Sequence, residues 1–167
     1  MNQRILILIA ALLGASGIIL GAYQAHGLQR SLERQAAAAG VDPSTETAEK
    51  SVPALNDPKS SLTPAAIARR VANCDTAVKY QLTHALAILA LASLVREAPR
   101  RFCTAAVTFW LLGLAGFSGG LYQIVFTGRP WHWAIVPAGG LLLIIGWSLL
   151  GLLVLLEPRP ESKTPAA

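Results

Sequence analysis

The sequence predicts an all-α integral membrane protein, a four-helix bundle with antiparallel neighbouring spans. Three observations predict it. Residues 5–29, 102–128 and 130–156 each contain no charged side chain, and about 20 mainly apolar residues suffice for a helix to cross the hydrocarbon core. Only 14% of the chain is charged and 53% is hydrophobic, against roughly a quarter charged in a soluble domain. The later connections are short, which makes neighbouring helices run in opposite directions.

The elements follow in order. The chain reads as one membrane domain over residues 1–167, with spans at about 5–28, 76–95, 102–127 and 134–156. The first stretch is longer than a signal-peptide core, and Tyr23 spoils a cleavage site before Ala25, so it reads as an uncleaved span. The stretch at 76–95 includes Lys79 near its end, where the amine can reach the interface. The first connection carries Glu33, Asp42, Glu46, Glu49, Asp57 and Asp75, most of the acidic residues. Within it, residues 36–61 show no apolar period and read as a flexible insertion. Thr63 and Pro64 suit a cap and first turn, so a short helix is expected through Ala72. Residues 157–167 read as a disordered tail.

Four spans put both termini on one face with the second loop. Arg4, Arg96, Arg100, Arg101, Arg159 and Lys163 share that face; Arg30, Arg34, Arg69, Arg70, Lys79 and Arg129 share the other. The three arginines of the short second loop outweigh the one in the third, so the termini are expected in the cytoplasm. The net charge is 14 − 9 = +5, but the basic residues lie between apolar segments and do not form a nucleic-acid surface. The expected partners are the bilayer and other membrane proteins or further copies of the chain, with no nucleic acid. Cys74 and Cys103 begin consecutive spans and so fall on opposite membrane faces, too far apart for a disulfide.

Two stripes of small residues recur. Gly14, Gly17 and Gly21 share one helix face, as do Gly113, Gly116 and Gly120. Such glycines let membrane helices approach closely, within one subunit or across a homodimer. Gly17-x-x-x-Gly21-x-Tyr23-Gln24 matches Gly116-x-x-x-Gly120-x-Tyr122-Gln123, which could be the trace of a parallel repeat of two helix pairs.

The candidate site is a polar cluster near one membrane face. All three tyrosines precede glutamine: Tyr23-Gln24, Tyr80-Gln81 and Tyr122-Gln123. At 1.5 Å per residue each pair lies roughly 5–8 Å inside the same face. His84 follows Tyr80 by one turn, His26 sits at the mouth, and Trp131, His132 and Trp133 lie at the same level. Polar groups at that depth need partners inside the protein. The cluster is either a hydrogen-bond network that sets helix register, a ligand- or proton-handling site, or a metal or haem site. Two histidines without ligand spacing favour neither metal nor haem, and no cofactor is expected. There is no phosphate loop, nucleophile elbow or paired carboxylate, and the spans carry no Asp or Glu. The chain therefore reads as a non-enzymatic accessory, assembly or packing partner. The alternative is a small carrier or binding protein whose Tyr/His/Gln cavity opens to one face.

The blocks at residues 21–28, 75–86, 117–122, 127–128, 137–140 and 146–147 resemble the small inner-membrane proteins of the YgdD type, domain of unknown function family 423. The resemblance touches all four spans in order. It implies a multi-span protein of a bacterial inner membrane with no assigned activity, so no catalytic residue is carried over. Members usually have Phe-Gly where this chain has Tyr23-Gln24, and residues 36–61 read as an insertion relative to them.

Overall fold

The computed structural model describes residues 2–41, 62–94, 100–129 and 133–156. The described elements are all helical: α1 (Gln3–Tyr23), a π-helical turn (Gln24–Leu28), α2 (Gln29–Ala38), α3 (Pro64–Leu94), α4 (Arg100–Thr127) and α5 (Ile135–Leu156). Residues 42–61 and 157–167, the core of the expected insertion and the expected tail, lie outside the described residues, as do Trp131 and His132.

Asn2 starts α1 by accepting a hydrogen bond from the Arg4 amide at 3.2 Å, the usual service of an Asn N-cap. The helix does not stop where the apolar run ends. It passes through the π turn into α2, giving one helical rod from residue 3 to residue 38, roughly 54 Å long. Ala36, Ala37 and Ala38, expected in the loop, are thus the last turn of α2, because Leu32 and Ala36 pack against Ile67 and hold it. The rod ends at Gly40, whose φ of +66° is left-handed. Gly40 N–H donates to Ala37 O at 3.1 Å and Val41 N–H to Ala36 O at 3.0 Å, the two bonds of a Schellman terminus.

Thr63 caps α3 by accepting from the Ala66 amide at 3.3 Å. The helix that it starts does not end at Ala72. It runs 31 residues to Leu94 and takes in residues 76–94 of the expected second span. No breaker interrupts residues 65–94, and Cys74, Ala77 and Val78 are buried against neighbouring helices across the supposed boundary.

The helix at residues 3–38, Cys103–Thr127 and Ile135–Leu152 are long and apolar enough to cross a membrane. Their outer faces are oily: Leu12 is 71% exposed, Ile19 68% and Leu155 82%. Among the described residues α3, which carries Lys79, Gln81 and His84, is not one of the three. It is instead the inner helix, packed between α1 and α4, while α5 packs on α4.

Contacts fall at positions that rise along one helix as they descend the next. The cluster of Leu6 and Ala10 with Ile88, Leu91 and Ala92 sits at one end. The cluster of Leu28, Leu32 and Ala36 with Ile67, Cys74 and Val125 sits at the other. Cys74 and Cys103 belong to different clusters, are both buried and form no disulfide.

Candidate functional site

Between the two apolar clusters lies a polar layer. Gln81 is 6% exposed. Its Nε2 donates to Leu13 O at 2.9 Å and to Ser16 Oγ at 2.8 Å. Its Oε1 accepts the Tyr122 hydroxyl at 2.9 Å. One side chain of α3 thereby ties α1 on one side and α4 on the other. Ser118 adds a second α4–α3 link, donating to Ala77 O at 3.1 Å.

His84, one turn deeper, belongs to an aromatic group. It is 3% exposed, and its ring stands edge-on to Trp110 at 5.8 Å and Trp147 at 6.0 Å. Nδ1 meets Tyr80 O at 2.8 Å, and Trp147 Nε1 donates to Nε2 at 3.2 Å. A carbonyl can only accept and an indole N–H can only donate. Both bonds therefore require the neutral imidazole with its proton on Nδ1. A second proton would set two N–H groups against each other and break the Trp147–His84 link between α5 and α3. Trp110 is fully buried, and its ring fits a slot that exists because residue 146 is glycine: a Cβ there would lie 2.5 Å from Trp110 Cδ1.

The eight expected cluster residues separate. Gln81 and Tyr122 meet directly, and Tyr80 lies over His84 with ring centroids 6.3 Å apart. Tyr23 turns away: it is 40% exposed and stacks on Phe126 at 6.4 Å. Gln24, where the π turn begins, lines a cleft beside α3, and His26 is exposed. Gln123 bonds Thr127 Oγ1 at 2.9 Å at the end of α4. Of the flanking aromatics, Trp133 is 79% exposed.

The glycines separate too. Gly17 faces Leu82 and Gln81, and Gly21 faces Val78. Gly113, Gly116 and Gly120 face Leu143, Gly139 and Val136 of α5. Gly14 has nothing within 4 Å. Each matched stripe thus packs against the next helix in the chain, α1 on α3 and α4 on α5.

The participants not foreseen include Ser16, Trp110, Ser118, Trp147 and Arg70. Trp147 had a signal, an indole deep within an apolar span and away from the interface where tryptophan usually sits. Arg70 had none. Only 6% exposed, it donates Nε–H to Val125 O at 2.7 Å and also points Nη2 at that oxygen, capping a carbonyl left open at the end of α4. Burial pulls its pKa below the usual arginine value, and the Tyr23 phenol acts the other way. Burial, and secondarily Asp75, raises the Cys74 thiol. Among the described residues, no three His, Cys, Asp or Glu side chains gather as metal ligands would.

Two hollows flank the polar layer. A crevice of about 320 Å³ is lined by Tyr80, His84, Phe117, Pro137, Gly140 and Trp147. A cleft of about 850 Å³ lies between α2 and the first turns of α3.

Replacing His84 by Leu removes the acceptor for Trp147 N–H and the donor to Tyr80 O. A buried polar group left unpaired costs about 1–3 kcal/mol. His84→Leu is therefore expected to lower the melting temperature in detergent more than His84→Gln, which keeps an acceptor. The reverse order would show that the imidazole bonds do not stabilise the fold.

The family model described as "Protein of unknown function (DUF423)" matches residues 20–140. The chain is also similar to the "UPF0382 membrane protein" of Haemophilus influenzae, 30% identical over 148 residues, which cover 88% of this chain and 90% of that protein. No solved structure matches it.

Proposed function

The chain belongs to the DUF423 family of proteins of unknown function, and from that premise we propose that it is a non-enzymatic assembly or packing partner of other membrane proteins. In this reading it crosses a bacterial inner membrane four times as an antiparallel four-helix bundle with both termini in the cytoplasm. The observation that carries the reading is the closure of the polar layer. Both ends of the Gln81 amide and both nitrogens of His84 are engaged within the chain, which leaves neither free to handle a substrate. α3 serves as the fourth span because Gln81 and His84, its buried polar groups at mid-depth, point at α1, α4 and α5, and membrane helices tolerate such groups only where protein covers them.

The aromatic crevice supports a second reading, a small carrier or binding protein. Purification in native lipid followed by mass spectrometry separates the two. The assembly reading expects a stoichiometric protein partner; a bound small molecule with no protein partner would replace it by the second. The topology has its own check. Reporters fused after Ala167 and within residues 42–61 are expected to report opposite sides, cytoplasmic for Ala167. The same side for both would exclude four spans.

A further inference from the structure

The rod of residues 3–38 and the 31 residues of α3 are both much longer than the roughly 20 residues a span requires. α4 ends at Thr127, level with Arg70. Residues 29–41 and 62–70 therefore stand beyond the bundle as a two-helix hairpin, outside the apolar stretches. The larger cleft is the groove along this hairpin. On α3 it is lined by Pro64, Ile67, Ala68, Val71, Ala72 and Asp75, the i, i+3, i+4, i+7 pattern of one continuous helix face. That face is roughly 16 Å long. On α2 the facing wall includes Glu33, Ala36 and Ala37. Small side chains on both walls let another helix approach closely. A groove parallel to two helices that rise from a membrane opens sideways, toward whatever stands in the same membrane.

We propose that a second copy of this chain covers the groove, so that two hairpins pack side by side as a symmetric dimer. Charge selects this occupant. The groove holds two carboxylates, and no basic residue lines it; Asp75 is paired with Lys79 at 2.6 Å on its own helix, so Glu33 is the carboxylate that the groove offers. The hairpin carries the complement on its flanks: Arg30 and Arg34, one turn apart on α2, and Arg69 on α3, all exposed. Two copies in one membrane share an orientation, and a twofold axis along the membrane normal sets the same patch on itself. The arginine flank of each copy then meets Glu33 of the other, and the apolar walls are buried between them. The chain's own residues 42–61 suit the groove poorly. Pro43, Pro53 and Pro58 leave no helix-competent run longer than residues 44–52, and that run carries Glu46 and Glu49 against one lysine, the same sign as the groove. The proposal does not depend on the assembly role.

The test uses the full-length protein in nanodiscs, with oligomeric state read by native mass spectrometry and contact by cysteine cross-linking. Ala37 and Ala68 are exposed in the groove, and the native cysteines are buried, so A37C and A68C report the groove alone. Both are expected to form covalent dimers on oxidation. E33R is expected to weaken the dimer at least tenfold while melting like the parent, and adding R30E/R34E is expected to restore it. A monomer at every concentration overturns the proposal. So does a dimer indifferent to the charge reversal, or a cross-link from residue 37 to another protein or within its own chain. A monomer that still captures a membrane partner would remove the dimer and leave the assembly role standing; a dimer without such a partner would do the opposite.

Discussion

Gly139→Ala is expected to be the most damaging single-methyl change in the protein. A Cβ at residue 139 would overlap the Phe117 backbone nitrogen and lie 2.7 Å from the Gly116 carbonyl carbon and 2.9 Å from Gly113 O. All three are backbone atoms of α4, so no rotamer can relieve the overlap and the two helices must separate. Overpacking typically costs about 1–3 kcal/mol, and a clash with backbone belongs at or above the upper end. The loss should spread, since parting α4 from α5 also pulls Trp147 from His84 and opens the slot of Trp110. Gly14→Ala, where nothing lies within 4 Å, provides the control and should melt like the parent. Thermal unfolding in detergent, followed by circular dichroism, compares them. Equal melting of Gly139→Ala and the parent would mean that α4 and α5 are not in the contact described.

Gln81→Leu is expected to have the next largest effect. The leucine is of similar size but strands the Tyr122 hydroxyl and leaves Leu13 O and Ser16 Oγ without their donor. Interhelical hydrogen bonds in membrane proteins average about 0.6 kcal/mol and reach about 1.7, so losing three should cost roughly 2–3 kcal/mol. Tyr122→Phe removes one of the three and should cost less. The two changes share a bond, so the double variant should lose less than the sum of the singles. Strict additivity of Gln81→Leu and Tyr122→Phe would sink the network, because it would mean that the two side chains do not interact.

Much of the architecture was legible because its causes are local in the chain. Uncharged runs marked the three helices able to cross a membrane, and the Thr63–Pro64 pair marked where α3 begins. Gly17 and Gly113 were legible as packing positions for the same reason, since spacing alone puts small residues on one face. Element ends were less legible. α2 reaches Ala38 and α3 runs unbroken past Ala72 because of burial against partners far along the chain.

The membership of the polar layer is a different matter. Three Tyr-Gln pairs look alike as text, and each has the depth to join. By itself the sequence determined that the chain is helical and that most of it is suited to lipid. Only the tertiary structure decided which of the polar residues meet. One residue along a helix is a rotation of about 100°, so direction matters as much as depth. Tyr23 ends α1 turned outward, and Gln24, where the π turn begins, lines the outer groove. The placing of α3 between α1 and α4 then gave Gln81 two neighbours to bond, whereas Tyr80, its immediate neighbour in sequence, was left 43% exposed over Phe117 and His84.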